Sequence, residues 1–233
     1  MEVANKESRL KRFYGDVAKD QNKDIIRFIS GRHVLDVGCG YGSLIHQINS
    51  DMKDMEAVGI DIDPESIRLA KELYGIDVKP VSVYKMDFPD NHFDTVILRE
   101  AIHHFDTEES LRTALSQIRR VCRKELIIFD PNPNFIVKLS RKMIGHIDPE
   151  APVDKVLKTL KENGFDVKIC MWRDIIAFPL SGGFVGRELI PNIGFVKDAV
   201  LRLDKIINMI MRTINLQRHV CWRYIIYAQK ANG

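Results

Sequence analysis

Three glycines within five residues, at positions 38, 40 and 42, follow directly on the short apolar run Val34-Leu-Asp-Val37, and this junction constrains the chain more than any other stretch. Glycine is favoured where backbone takes left-handed dihedrals or passes within contact distance of a bound molecule, so the turn keeps side chains out of a ligand's way. Ser43-Leu-Ile-His-Gln-Ile48 then places apolar residues at helical spacing, which makes the unit a strand, a glycine turn and a helix. In open parallel sheets, ligands sit at such carboxyl strand ends. The dinucleotide form of the motif is G-x-G-x-x-G, with a pyrophosphate at the helix amino terminus. Here the spacing is G-x-G-x-G, and Asp36 stands two residues before Gly38. Taken alone, three glycines also fit a plain strand-to-helix loop.

A second segment, Met55-Glu-Ala-Val-Gly-Ile-Asp-Ile-Asp-Pro-Glu-Ser-Ile67, reads as a strand ending at Asp61 and a helix opening at Pro64, where proline suits a first turn. Asp61 follows Asp36 by 25 residues, and a carboxylate at a second strand tip can accept hydrogen bonds from both hydroxyls of a ribose. Asp63 reads as a helix cap beside Pro64. With these two segments the chain resembles the class I S-adenosylmethionine (SAM)-dependent methyltransferases, of the type 11-like small-molecule kind, and residues 34–44 match their first motif. The resemblance implies that the turn at Asp36, Gly38, Cys39, Gly40 and Gly42 wraps the methionine part of SAM. That part carries an ammonium and a sulfonium and no phosphate, which suits Asp36. The resemblance also puts Asp61 on the ribose and Ile62 against the adenine.

The third matching block runs from Val81 to Leu98, where Phe88, Pro89, Asp90, Phe93 and Asp94 align with the family's acidic-loop segment before strand four. The position that often carries an adenine-binding aspartate is Ser82 here. That departure leaves one hydroxyl, with the backbone at Val83 and Tyr84, to meet the base. After strand four comes Leu98-Arg-Glu-Ala-Ile-His-His-Phe105. In the family, residues matching Arg99 and Glu100 line the cofactor, often through backbone, and His103 and His104 match a frequent pair. These two histidines are the candidate general bases, set against helical capping or packing as the ordinary use of such residues. A base is useful when the acceptor is a hydroxyl or an acidic carbon. Asp130, closing strand five, brings a carboxylate to another ligand-facing edge, while Tyr14 and His146 are candidates to close over the site.

Alternating helices and strands argue for an α/β chain with a parallel-rich sheet. A leading amphipathic helix is expected over 16–29, with strands near 33–37, 57–61, 78–81, 94–98, 125–130, 165–171 and 222–228 and a helix over Val153 to Glu162. The resemblance implies a Rossmann-like, doubly wound sheet of seven mostly parallel strands with the seventh antiparallel. The chain then reads as one methyltransferase domain over 1–233 with an N-terminal helical cap over 1–30. Phe178 to Val220 is about forty residues where a short turn suffices, and it is expected to be a helical insertion or lid. It opens with the hinge-like Pro179-Leu-Ser-Gly-Gly-Phe184 and continues as a helix over 195–214. On that helix Val196, Val200, Leu203, Ile207, Ile210 and Ile214 form one stripe, flanked by Ile206 and Met211, and Lys197, Lys205, Asn208 and Arg212 lie opposite. The stripe suits packing on the body of the protein, a lid over an apolar substrate, or a face resting on membrane lipid.

Charge separates the chain in two. The whole carries +3, but residues 138–233 carry +7 and residues 1–137 carry −4, so the half beyond the cofactor motifs is basic. Such a surface can meet anionic lipid, an acidic small molecule or RNA. Against RNA, there is no interleaved aromatic and basic platform. Arg99-Glu-Ala-Ile stands where amino-methylating DNA enzymes carry Asn or Asp followed by two prolines and an aromatic, which argues against DNA. The four cysteines, at 39, 122, 170 and 221, are scattered and show no metal-ligand spacing, so no metal site is expected and Cys39 reads as a small filler. No apolar stretch reaches the roughly 20 residues needed to span a bilayer, and Met1 to Arg12 is polar and mixed in charge rather than a secretory signal.

The expectation is a cytoplasmic enzyme, peripheral to membrane where the 195–214 helix touches lipid, that methylates oxygen, carbon or nitrogen of a small molecule and releases S-adenosyl-L-homocysteine. A lipid, isoprenoid or glycan-type acceptor is the expected substrate class. The alternatives are an RNA or protein methyltransferase, a SAM-binding regulatory protein without turnover, and a nicotinamide-dependent oxidoreductase, which the glycine spacing disfavours.

Overall fold

The structure, a computed structural model, describes residues 12–143, 145, 150–183 and 187–231. Its centre is a seven-stranded sheet in the order β3-β2-β1-β4-β5-β7-β6. The strands are β1 (His33–Val37), β2 (Glu56–Asp61), β3 (Lys79–Pro80), β4 (Phe93–Arg99), β5 (Cys122–Pro131), β6 (Phe165–Arg173) and β7 (Arg223–Lys230). β7 runs antiparallel to both neighbours, β5 and β6, while β1 to β5 pair in parallel, as the family resemblance implies. The strand order reverses between β1 and β4, and a crevice at the carboxyl ends follows from that topology.

The central strands read as apolar runs because both faces are covered. Leu35, Val37, Val96, Leu98, Leu126 and Ile128 face one side, with helices α4 (Glu108–Val121) and α6 (Val153–Glu162). Val34, Ile97, Ile127 and Phe129 face the other, where α1 (Phe13–Ile26) and α2 (Ser43–Asp51) contribute Ile25, Leu44 and Ile48. Helix α1 begins three residues earlier than its periodicity suggests, because Phe13 is fully buried in a satellite core. Helix α5 (Phe135–Met143) follows β5 and buries Val137 in that same satellite core. Strand β3 shrinks to two residues at the sheet edge, where Pro80 has no N–H to donate. Helix α3 (Pro64–Tyr74) starts as expected, with the Asp63 carboxylate accepting from the N–H groups of Glu65 and Ser66.

Asp94, one of the residues that align with the family, is a structural anchor. Its carboxylate accepts from the N–H groups of Arg32 at 2.9 Å and His33 at 3.2 Å and pairs with Arg123, tying the start of β1 to β4. Burial works against the ionised form, but these donors and the Arg123 charge prevail and hold the carboxyl well below the usual range. A Cβ on Gly31 would fall 2.2 Å from that carboxyl carbon, so glycine at 31 leaves Asp94 the room to bind.

Between β6 and β7 lie α7 (Ala177–Leu180), α8 (Gly194–Thr213) and α9 (Gln217–Val220). The helix expected at 195–214 is α8, but it does not pack through the apolar stripe as a whole. Leu203, Ile210 and Ile214 point to solvent together with Phe195, Ile206 and Met209. The inner side carries Val200 and Leu201, packed on the satellite core, and polar groups that bind the body. Asp204 accepts from the N–H groups of Ile175, Ile176 and Ala177 at 2.8, 2.6 and 2.9 Å, and so caps α7. Asn208 donates to the Trp172 carbonyl, Lys197 pairs with Asp16 at 2.8 Å, and Lys205 pairs with Asp20 at 2.7 Å. Thus Lys197, Lys205 and Asn208, expected on the outer face, hold the helix down, and Arg212 stays outside. The physical reason is the amino terminus of α7, whose N–H groups need an acceptor and find it in Asp204.

The hinge expected at Pro179 to Phe184 is closely packed over its described part. Ser181 is buried, a Cβ on Gly183 would fall 2.4 Å from the Phe178 ring, and a Cβ on Gly182 would fall 2.1 Å from the Arg187 carbonyl oxygen. Phe184 and His146 lie outside the described residues.

Candidate functional site

The glycine turn is built to stay open. Gly38, Gly40 and Gly42 all take positive φ, at 68°, 55° and 77°. The N–H groups of Gly38 and Cys39 both donate to the Ile60 carbonyl, which fastens the turn to the tip of β2. A Cβ on Gly40 would meet nothing within 4 Å, and the turn borders a cleft of about 560 Å³. That volume is of the size that holds a small-molecule ligand. Gly38, Gly40, Asp61, Ile62, Ser82, Val83, Tyr84, Glu100 and His104 line it, so the structure brings together nine of the residues singled out from sequence.

Asp61 stands at the centre of this wall. One carboxylate oxygen accepts from Gly40 N–H at 2.7 Å and the other from Asp63 N–H at 2.9 Å. The side chain therefore locks the glycine turn to the start of α3, while each oxygen keeps a lone pair for a ligand hydroxyl. Ile62 and Tyr84 stand exposed on the cleft, and Phe105 packs edge-on to Tyr84 at 5.9 Å. Apolar surface left open beside a carboxylate suits a flat ring joined to a diol. Ser82 accepts from Tyr84 N–H at 3.3 Å and so caps the short 3-10 helix Val83–Lys85.

Four other candidates lie behind the wall rather than on it. Asp36 is buried near the end of β1 with one oxygen unpartnered among the described residues, and burial pushes its carboxyl up to about 7, with Arg99 pulling down and Asp61 adding to the rise. Cys39 fills the space over Gly59, where a Cβ would come 2.6 Å from its sulfur, and burial raises its thiol well above the ordinary value. The filler reading of Cys39 agrees with this position. Gly42 precedes α2 in a left-handed conformation. The Arg99 guanidinium turns toward Gln21 and Ser43, at 3.4 Å from each, and leaves its Nε buried without a partner among the described residues.

The two adjacent histidines separate. His103 is buried, with Nδ1 at 3.0 and 3.1 Å from the two oxygens of Asp130, 27 residues away in sequence. His104 is exposed and lies on the cleft wall. Asp130 is fully buried, and burial raises its carboxyl even though the bond to His103 pulls the other way. A carboxylate so placed orients an imidazole and sets which nitrogen carries the proton. Glu100, also on the wall, adopts φ 54°, a left-handed conformation unusual outside glycine, and accepts from Arg223 Nε at 3.0 Å. Burial works upward on Glu100, but the charges of Arg223 and Arg99 hold its carboxyl below the usual range. Arg223 in turn lies over the Phe178 ring at 4.1 Å, which connects the cleft to the insertion. Neither Arg223 nor Gln21 carries a motif signal, since each acts through a contact far away in sequence.

Tyr14 lies close to Tyr41, whose hydroxyl is pushed up to about 12 by burial first and by Tyr14 second, so the N-terminal helix approaches the glycine turn. A larger hollow, about 730 Å³, lies between α1, α2 and α3 beside Asn22, His46 and Tyr74. It gathers neither Asp61 nor any glycine of the turn, and the smaller cleft is the better candidate. Among the described residues there is no cluster of His, Cys, Asp and Glu able to hold a metal ion.

Comparison with known proteins agrees with this geometry. A family model described as a methyltransferase domain matches residues 34–125. An O-methyltransferase, resE of Aspergillus sclerotiorum, is 32% identical over 154 residues, which cover 59% of this chain and 56% of that protein. The chain thus spans little more than half the length of that relative. Among solved structures, a SAM-dependent methyltransferase from Archaeoglobus fulgidus superposes with a TM-score of 0.67 at 20% identity, covering 92% of this chain and 94% of that one. Magnesium protoporphyrin IX methyltransferase from Synechocystis, solved with bound SAH, superposes with a TM-score of 0.58 at 16% identity, covering 92% of this chain and 84% of that one.

Proposed function

We propose that the chain is a class I SAM-dependent methyltransferase that transfers a methyl group from SAM to an oxygen or carbon of a small molecule, a reading supported by its sheet topology, by the methyltransferase-domain match over residues 34–125 and by its similarity to an O-methyltransferase. The observation that carries this reading is the cleft at the tips of β1, β2 and β4, bordered by the open turn at Gly40 and by the Asp61 carboxylate bound to it. Bound SAM supplies an electrophilic methyl on a sulfonium. Asp61 receives the ribose hydroxyls on its free lone pairs, Ile62 and Tyr84 flank the adenine, and Ser82 and the Val83 backbone meet its edge. The glycine turn passes the methionine chain, with the buried Asp36 supplying negative potential beneath it. A cationic ligand above Asp36 draws its carboxyl toward the ionised form.

Holding acceptor and methyl collinear supplies much of the rate, since good orientation is worth roughly 7 kcal/mol or more. For a hydroxyl or acidic-carbon acceptor, His103 is the base we assign, with Asp130 holding Nδ1 so that Nε2 can take the acceptor proton. His104, on the cleft wall, borders the cofactor side. Residues 178–220 and the N-terminal helix form the acceptor side in this reading. The exposed apolar surface of α8 supports a lipid, isoprenoid or similar acceptor reached by peripheral membrane contact from the cytoplasm. The four free cysteines agree with a reducing compartment.

The test is calorimetry of the full chain with SAM, SAH and NAD, followed by incubation with methyl-labelled SAM and separate lipid, polar and RNA extracts. Tight binding of SAM and SAH with label entering the lipid or polar fraction is the expected result. Preference for NAD overturns the assignment, and label entering only RNA overturns the acceptor class.

A further inference from the structure

The outer side of α8 is apolar and positively charged, and a second helix repeats the arrangement. Helix α5 follows the carboxyl end of β5, close in sequence to Asp130, and buries Val137 in the same satellite core that receives Val200 and Leu201 of α8. Helix α9 touches both α5 and α8, and Asn132 and Asn134 donate to the Cys221 carbonyl, which ties the start of α5 to the end of the insertion. Beyond this shared core the two helices present large apolar side chains to solvent. Phe135 and Met143 are 77% and 78% exposed, and Phe195 and Met209 on α8 are 75% and 62% exposed.

Charge accompanies these side chains. Of the seven Lys and Arg on helices α5 and α8, Arg141 is buried and Lys138, Lys197 and Lys205 pair with Glu150, Asp16 and Asp20, which leaves Lys142, Arg202 and Arg212 on the outside against one exposed carboxylate, Asp198. Lys142, Arg202 and Arg212 are exposed, and among the described residues none of the three has a carboxylate within ion-pair distance. Because polar contacts and the packing of Val200 and Leu201 already hold α8 to the body, its outer apolar side chains are not used in folding. A second copy of the chain docked through the same face would bring these cations against their own copies. An anionic surface neutralises them instead, and apolar side chains flanked by Lys and Arg are the composition that settles at a lipid interface.

The geometry points to a membrane-docking surface formed by α5 and α8, whose partner is the interface of a bilayer containing anionic lipid. This surface rests on the methyl-transfer reading and extends it. Phe135, Phe195, Ile206 and Met209 enter the headgroup region, and Lys142, Arg202 and Arg212 meet lipid phosphates. Docking there brings the carboxyl end of β5, where Asp130 holds His103, toward the source of an apolar acceptor.

The experiment is co-sedimentation of the full chain with vesicles of phosphatidylcholine alone or mixed with phosphatidylglycerol, with SAM affinity and thermal melting recorded on the same preparations. Binding to the mixed vesicles is expected to exceed binding to neutral ones by roughly tenfold or more, and to fall as salt rises. The apolar variant Phe195→Ser/Ile206→Ser/Met209→Ser should lose most binding to both vesicle types. Lys142→Gln/Arg202→Gln/Arg212→Gln should lose about fivefold per charge on the mixed vesicles only. Both variants should melt with the parent and bind SAM equally. Absence of parent binding to mixed vesicles, or variants that bind them as well as the parent does, overturns the proposal. So does a dimer by light scattering that the apolar variant dissociates. The SAM measurement reads the methyl-transfer reading separately: vesicle binding without SAM binding supports the docking surface and overturns that reading alone.

Discussion

The cofactor cleft and the α5–α8 side are built by opposite means. At the cleft, backbone is the main material: three left-handed glycines, two N–H groups on the Ile60 carbonyl, and one carboxylate, Asp61, bracing the turn. At α8, side chains are the material, and they reverse the usual order, with Asp204 and Asn208 inward and Phe195, Ile206 and Met209 outward. A site built on backbone is thus written in short motifs, whereas one built on paired side chains depends on partners that only folding brings together.

The contrast is most open to attack at Asp204. Removing its carboxylate leaves three N–H groups at the α7 amino terminus without their acceptor, and Asp204→Ala is expected to cost about 3 to 5 kcal/mol in urea unfolding. SAM affinity of the folded fraction should stay unchanged, because the cleft is braced separately. A loss below about 1 kcal/mol would mean that α8 is held by Val200 and Leu201 and not by its polar side.

At the cleft, Asp61→Ala removes both the ribose acceptor and the brace on Gly40. SAM binding by calorimetry should weaken by about 1.5 to 3 kcal/mol, and unchanged affinity in a folded variant would refute the ribose role. His103→Gln and Asp130→Asn should each lower turnover of an identified acceptor by roughly a hundredfold with little change in SAM affinity. If the pH–rate profile keeps its acidic limb in His103→Gln, the titrating base lies elsewhere.

Asp36 gives a pH test of the backbone-built site. Its carboxyl sits at about 7 in the folded chain, above the unfolded value, so the stabilisation it contributes is fully present below the unfolded pKa and is lost as pH rises toward 7. Asp36→Asn should therefore raise the melting temperature of the ligand-free protein at pH 8, and leave it nearly unchanged at pH 4. SAM, being cationic at its sulfonium, should bind the parent more tightly as pH rises through 7, by up to about tenfold, and the variant should show no such slope. A flat profile in the parent would place Asp36 outside the field felt by the ligand. The smallest effect belongs to the outer face of α8, where Ile210→Ser should change stability by no more than about 0.5 kcal/mol, against about 1 kcal/mol or more for Val200→Ser on the inner face.

Much of the fold is legible in sequence because its signals are local. Apolar runs mark the central strands, Pro64 and Asp63 mark the start of α3, and eight residues chosen for the cofactor lie on one cleft with one of the two candidate bases, His104. The edge strand β3 is shorter than its apolar signal suggests, because Pro80 limits its pairing. Helix α8 falls within a residue of its expected bounds at each end, yet its inner side is not the expected one, since periodicity locates a stripe and does not say which side meets the body. The histidines show the same limit: adjacent in sequence, one is buried on Asp130 and the other lies on the cleft.

The strand–turn–helix unit at Val34 to Leu44 and the carboxylate at the next strand tip follow from sequence alone, because glycine conformations and strand tips are properties of a few neighbouring residues. The pairing of His103 with Asp130, the hold of Arg223 on Glu100 and the outward turn of the apolar side of α8 belong only to the folded chain. Each of these joins groups from separate elements, and whether a polar side chain is satisfied within the fold or an apolar one left outside depends on what the whole chain places opposite it.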